Sequence, residues 1–148
     1  AVRRILDVCR ARSRPAARWS RAGDRSELPP DGVIVFDEVG RLAELYTVAD
    51  AAWVGGGLGG TGLHNVLEPA AAAVPVLFGR RHDRGDAHDL ERAGGALRVE
   101  PGEIARALAG VEAEDRRRRM ARRARRFVES GSGAAEATAD LIESAAFG

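Results

Sequence analysis

The residues best suited to chemistry are a run of glycines and the three polar side chains that follow it. Positions 55–62 hold six glycines in eight residues, and His64, Asn65 and Glu68 come next. Glycine lets the backbone approach a ligand closely, and a helix starting near His64 would add the positive end of a dipole. The pattern predicts an anion site, with phosphate as the expected ligand. The alternative is a flexible turn.

The three polar side chains would share one face of the expected helix. Glu68 lies four residues after His64 and three after Asn65, so all three would line the side nearest the glycines. A carboxylate there can accept hydrogen bonds from ribose hydroxyls, and an amide can both donate and accept. A solvated helix start is the competing interpretation, and His64 alone is more typical of a cap or supporting residue.

A dinucleotide site is a second interpretation of the same stretch. Gly57 to Gly62 satisfies G-x-G-x-x-G, and Arg80-Arg81 could imitate a site for the 2′-phosphate of NADP. That motif normally opens a long crossover helix, whereas Pro69 falls roughly a turn and a half into this one and would disrupt it. A dehydrogenase is therefore not favoured. The chain has no Lys, which excludes a P-loop, and its three His residues lack the spacing of a zinc site.

Elements that could position the glycine loop recur along the chain as alternating strand and helix patterns. Strands are expected at 16–19, 33–36, 51–54, 75–78 and 96–99, and helices at 1–12, 41–48, 64–73, 86–93, 103–109, 113–129 and 134–146. This order predicts an α/β fold with an open parallel sheet and a helical tail interrupted at Gly110 and Ser130–Gly133. Ligands bind at the carboxyl ends of such strands. A chain of 148 residues fits one domain.

Composition narrows the classes of function. The net charge of +1 gives no overall electrostatic field that would attract the protein to nucleic acid or a membrane. Cys9 is the only cysteine and cannot form an internal disulfide, which fits a cytoplasmic protein. The weakly charged stretch 51–78 is too rich in glycine and proline for a membrane helix. The arginines of 116–126 indicate a solvated helix face, with contact to anionic lipid as the alternative.

Several segments together resemble a known family. In order and spacing they are similar to the signature of 3-deoxy-D-manno-octulosonic acid (Kdo) transferases, and the likeness covers nearly the whole chain. The segments are 18–20, 37–42, 45–56, 64–71 and 75–79, together with the closing arginine-rich helix.

The resemblance implies one half of a GT-B glycosyltransferase. Residues 1–148 would be the C-terminal domain that binds CMP-Kdo, Rossmann-like with helices on both faces, and the N-terminal acceptor domain would lie outside this chain, which opens in mid-helix like a fragment. The enzyme would transfer Kdo to a lipid A precursor in lipopolysaccharide biosynthesis. It would act peripherally at the cytoplasmic face of the inner membrane, without metal, cofactor or nucleic acid.

The resemblance also implies a set of donor-binding residues. The backbone of the glycine loop would hold the CMP phosphate, and the side chains after it would contact the nucleotide or sugar. These residues are Gly59, Gly60, Thr61, Gly62, His64, Asn65 and Glu68. No catalytic residue is expected in this chain, because the general base of the family belongs to the other half, so the chain alone should be inactive.

Two other classes of protein stay open from the sequence. One is the donor-binding half of another GT-B glycosyltransferase or of a sugar-nucleotide epimerase. The other is a nucleotide-binding module without chemistry.

Overall fold

The computed structural model describes residues 2–24, 26, 28–56, 58, 62–80 and 85–147, with side chains as far as Gly131. The chain forms two compact units, Ala1–Leu42 and Ala43–Gly148. In chain order the elements are α1 (Val2–Ala11), β1 (Ala16–Arg18), β2 (Val33–Val35), α2 (Leu42–Tyr46), β3 (Ala52–Val54), α3 (Leu67–Ala71), β4 (Val76–Gly79), α4 (Asp86–Arg92), β5 (Ala96–Val99), α5 (Ile104–Glu112) and α6 (Glu114–Phe147).

The first unit is built on two parallel strands and one helix. Strands β1 and β2 pair with Ala17 opposite Ile34, and α1 packs beside them. Cys9 from α1 and Val35 from β2 are buried there. Short strands of this kind are stable only when their apolar side is covered, which is what the amphipathic α1 provides.

The second unit is a three-stranded parallel sheet in the order β3-β4-β5. Strand β4 lies at its centre, and all four of its residues are buried. A central parallel strand covered on both faces should be apolar throughout, as Val76, Leu77 and Phe78 are. Burial of a Leu or Phe side chain contributes about 1.5–3 kcal/mol, so β4 is a major source of stability.

Helices cover both faces of this sheet. Val76 and Phe78 point into one cluster with Val66, Leu90 and Ala124, which come from the segment before α3, from α4 and from α6. On the opposite face, Leu77 packs in a second cluster with Val99, Val111 and Met120. Helix α6 contributes to both clusters. The predicted α/β class with helices on both faces is therefore confirmed for this unit.

The predicted strands are all present, but they form two hydrogen-bonded sheets and not one. The first sheet holds β1 and β2, and the second holds β3, β4 and β5. Sequence patterns locate strands by local apolar character, whereas pairing depends on contacts between distant segments.

The predicted breaks in the helical tail were wrong. Gly110 lies inside α5, and the chain turns instead at Ala113, which has extended backbone angles. Helix α6 runs without interruption through Ser130–Gly133. The Ser130 hydroxyl donates a 2.8 Å hydrogen bond to the Phe127 carbonyl, so this serine is accommodated within the helix.

Candidate functional site

The glycine loop begins where β3 ends, at the carboxyl edge of the sheet. Gly56 has φ of +95°, and a Cβ on it would lie 2.2 Å from the Gly62 carbonyl oxygen. The His64 amide donates a 3.2 Å hydrogen bond to the Gly55 carbonyl. The loop therefore closes on itself at its base, and only glycine fits at position 56.

Part of the predicted site falls within this loop but outside the described residues. Gly59, Gly60 and Thr61 belong to that part. Gly62 is described, and a Cβ added there would meet no other described residue within 4 Å. The predicted contacts of these four residues with a phosphate stay predictions.

Asn65 and Glu68 are brought together just beyond the loop. The Asn65 side-chain oxygen accepts a 2.9 Å hydrogen bond from the Leu67 amide, which shapes the turn into α3. The Asn65 side-chain nitrogen donates a 3.1 Å hydrogen bond to a Glu68 carboxylate oxygen. His64, Asn65 and Glu68 are all exposed, so a ligand can reach them from solvent.

The helix expected to start at His64 was placed wrongly. Helix α3 begins at Leu67 and has five residues, so His64 and Asn65 precede it and do not share a helical face with Glu68. The turn at Asn65 uses backbone groups that a helix would also use, so α3 begins later in the chain than expected. A helix this short supplies little dipole, so the loop amides must supply most of any anion binding.

Pro69 also has a different role from the one expected. It is buried in the first turn of α3, where a missing N–H costs nothing, and so it does not disrupt the helix. The helix is nevertheless far shorter than the crossover helix of a dinucleotide fold.

Tyr46 is a residue of this site that the predicted list omitted. It ends α2, and burial together with the nearby Glu68 charge raises its pKa above 10.0. Its phenol is therefore a neutral donor near the Glu68 carboxylate at physiological pH. Its only signal in the sequence was membership of a family-like segment.

A second polar cluster, in the first unit, joins the ends of β1 and β2. The Asp37 carboxylate accepts hydrogen bonds from the Ser20 hydroxyl at 2.7 Å and the Ser20 amide at 3.0 Å, and it pairs with the Arg18 guanidinium. The Trp19 ring stacks on Phe36 with 4.2 Å between centroids. The family-like segments 18–20 and 37–42 therefore contact each other, because the strands before them pair in parallel.

We expect Asp37 to make the first unit sensitive to acid. The Ser20 hydroxyl, assisted by Arg18 and the Ser20 amide and opposed by desolvation, lowers the Asp37 pKa from 3.8 to about 2. The ionised carboxylate therefore stabilises the fold above pH 3.8, and this contribution is lost as the pH falls toward 2.

The Asp37→Asn variant should be less stable than wild type at neutral pH and should approach it between pH 4 and 2. Melts across this range, followed by tryptophan fluorescence, measure the difference. Asp31→Asn, at an exposed position in the preceding loop, is the control. A gap between wild type and Asp37→Asn that does not change with pH would contradict the assignment.

Two features are absent from the residues that the structure describes. No group of three or more His, Cys, Asp or Glu residues is arranged to hold a metal ion there. No helix in that part is both long and apolar enough to cross a membrane.

The arrangement of strands, helices and glycine loop defines a Rossmann-like half of a GT-B fold. The C-terminal CMP-Kdo binding domain of WaaA from Acinetobacter baumannii has the same fold, with a TM-score of 0.73 over 84% of this chain and 66% of that one, at 20% identity. No family model matches the chain.

Curated relatives give the family. The Kdo transferase of Bordetella pertussis is 32% identical over 126 residues, which are 82% of this chain and 29% of the relative. The Kdo transferase of Chlamydia pneumoniae is 44% identical over 69 residues, or 44% of this chain and 14% of the relative. The chain therefore spans less than a third of the length of these relatives. It belongs to the Kdo transferase family and corresponds to a C-terminal domain.

Proposed function

We propose that this chain is the donor-binding domain of a Kdo transferase and that it binds CMP-Kdo at the carboxyl end of β3. The observation that carries the proposal is the match to the Bordetella pertussis enzyme across 82% of the chain. The site geometry supports it, because an exposed amide–carboxylate pair lies directly beside a closed glycine loop.

Each part of the site would take a different part of the donor. Backbone amides of Gly59–Gly62 bind the phosphate of CMP, because glycine at three of these four positions lets a ligand approach the backbone closely. Glu68 would repel a phosphate, so it faces hydroxyl groups of the ribose or the sugar instead. Asn65 fixes its carboxylate through their 3.1 Å hydrogen bond, and the Tyr46 phenol lies near enough for the Glu68 charge to raise its pKa.

The chemical step would use this domain to stabilise the leaving group. The bond between Kdo and the phosphate of CMP breaks, and the acceptor oxygen forms a new bond to the same sugar carbon. The loop amides stabilise the charge that develops on the departing phosphate. The proton of the acceptor hydroxyl passes to a base in the other half of the enzyme, and no metal takes part.

The rest of the enzyme supplies the acceptor and the place of action. The acceptor would be a lipid A precursor held by an N-terminal domain, with the enzyme peripheral on the cytoplasmic face of the inner membrane. Helix α6 buries Met120 and Ala124, and most of its arginines are exposed. That exposed basic face suits an anionic surface.

The chain should bind CMP in preference to NADP. A short α3 and an amide–carboxylate pair suit one nucleotide phosphate and its hydroxyls, whereas a dinucleotide needs a long crossover helix. Calorimetric titration with CMP, UDP, ADP and NADP measures the preference. Tighter binding of NADP than of CMP would refute the proposed donor.

The 148-residue chain should show no transferase activity by itself. It corresponds to 29% of the matched Bordetella pertussis enzyme, and the proposed base and acceptor surface belong to the remainder. Incubation with CMP-Kdo and a lipid A precursor, followed by mass spectrometry of the lipid, checks this. Turnover at a rate above that of a heat-denatured control would contradict it.

A further inference from the structure

A cavity of about 360 Å³ lies between β5 and the two helices that follow it. Leu97 and Val99 form its apolar wall, and both belong to the cluster on the α5 face of the sheet. Val66, which follows the glycine loop, packs on the opposite face. The cavity is therefore distinct from the proposed donor site.

Two arginines converge on this cavity from different helices. Arg106 lies in the first turn of α5, and Gly110 lies one turn later on the same face. The guanidinium of Arg116, from the first turn of α6, lies over Gly110, with Nη1 3.0 Å from the place a Cβ would take there. Arg98 of β5 also lines the cavity, but its guanidinium pairs with Glu91, whereas among the described residues neither Arg106 nor Arg116 forms an ion pair.

The amino end of α5 faces the same space. Glu103 precedes the nine-residue helix and makes no side-chain hydrogen bond to it within the described part of the chain. The first intrahelical hydrogen bond is donated by the Ala107 amide to the Glu103 carbonyl, which leaves the earlier amides without a helical acceptor. Since Glu103, Arg106 and Ala107 all line the cavity, the amino end of α5 borders it.

We propose that this cavity is an anion site that binds a phosphate group. Guanidinium groups present paired donors that match phosphate oxygens, and unsatisfied helix amides add further donors. A volume of 360 Å³ lies at the lower end of the range for small-molecule sites. The ligand is either a soluble phosphorylated compound or a phospholipid head group.

Glu103 provides a second test, in which the expected change in phosphate affinity is opposite to that for the arginines. Its carboxylate lines the cavity and opposes an incoming anion, so it lowers the affinity that the arginines provide. A merely basic surface would respond to the loss of any arginine. A defined site responds to Arg106 and Arg116 in one direction and to Glu103 in the other.

The experiment is a titration of the 148-residue chain with inorganic phosphate at constant ionic strength, followed by NMR. Arg106→Gln and Arg116→Gln should each weaken binding by about tenfold, and Glu103→Gln should strengthen it. Arg126→Gln is the matched control, because Arg126 is an exposed α6 residue that does not line the cavity and lies ten residues, or about 15 Å, beyond Arg116. Its effect should stay within about twofold. The site would be overturned if the control lost as much phosphate affinity as the two arginine variants. It would also be overturned if those two variants kept wild-type binding of both phosphate and the vesicles described next.

A second arm separates the two sources of phosphate. Sedimentation with phosphatidylglycerol vesicles is compared with sedimentation with phosphatidylcholine vesicles for the same variants. Loss of vesicle binding in Arg106→Gln and Arg116→Gln assigns a lipid head group, and loss of phosphate binding alone assigns a soluble ligand. Arg106→Gln and Arg116→Gln should bind CMP as wild type does, so failure of the proposed donor site would not be confused with failure of this one.

Discussion

Replacing Glu68 with Gln is expected to weaken CMP binding by about tenfold or more, or roughly 1.5–3 kcal/mol. The carboxylate is exposed and oriented by the Asn65 amide, so one oxygen remains available to a hydroxyl of the ligand. A charge-assisted hydrogen bond to that hydroxyl is stronger than the neutral one that Gln could make. The loss should therefore appear in binding.

The fold should tolerate the Glu68→Gln change. Gln keeps the length of the side chain and an oxygen that can still accept from Asn65, and position 68 is on the surface of α3. The free energy of unfolding should change by less than about 1 kcal/mol. Melts of wild type and variant should agree without ligand and diverge with CMP.

Glu129→Gln is the control for this substitution. It removes the same charge from an exposed helical position, where the carboxylate pairs with Arg125. CMP affinity in that variant should match wild type. If Glu68→Gln already lowers the melting temperature without ligand by more than the control does, Glu68 serves the fold and not the donor.

The only tyrosine of the chain reports on the same carboxylate. Burial and the Glu68 charge both raise the pKa of Tyr46, so Glu68→Gln should lower that pKa partway toward its ordinary value. Ultraviolet titration of the phenol observes this residue alone. If the pKa of Tyr46 were unchanged in the Glu68→Gln variant, the Glu68 charge would not act on the Tyr46 phenol.

Local signals explain why the strands and the position of the site could be predicted. Val76, Leu77 and Phe78 form an uninterrupted apolar run, which is typical of a central parallel strand and is observed as β4. A glycine-rich stretch directly after β3 could only lie at the carboxyl edge of the sheet. Both inferences use residues that adjoin in sequence.

Errors arose where local signals permit two outcomes. Pro69 could disrupt a helix that begins before it, or it could lie in the first turn of a helix that begins later. The second outcome is observed, because the Leu67 amide donates a hydrogen bond to the Asn65 side chain and α3 begins only at Leu67. Ser130–Gly133 looks like a break, yet each glycine costs a helix only about 1 kcal/mol, so α6 can continue through it.

Contacts between distant segments could not be inferred from local patterns. Asp37 meets Ser20 and Arg18 only because β1 and β2 pair in a particular parallel register. The closeness of Tyr46 to Glu68 likewise depends on how α2 packs. These are the parts of a site that a motif indicates least well, because a motif records residue types without their partners.

Gly56→Ala should destabilise the second unit by at least about 1–3 kcal/mol. The methyl group would have to be accommodated at φ of +95° and 2.2 Å from the Gly62 carbonyl oxygen. The opposing atom is backbone, so relief requires the base of the loop to open. Chemical denaturation measures the loss, and CMP binding should fall with it because the loop amides lose their arrangement.

Gly62→Ala is the matched control, because it adds the same methyl group to the residue whose carbonyl oxygen faces Gly56. Its Cβ would meet no atom of the described residues within 4 Å, so the free energy of unfolding should change by less than about 1 kcal/mol. If the loop amides hold the CMP phosphate at close range, that methyl group still occupies space the phosphate needs, and affinity should fall without loss of stability. Retention of full CMP affinity by a stable Gly62→Ala variant would place the phosphate away from Gly62. Equal stability of the two variants would instead contradict the closed loop.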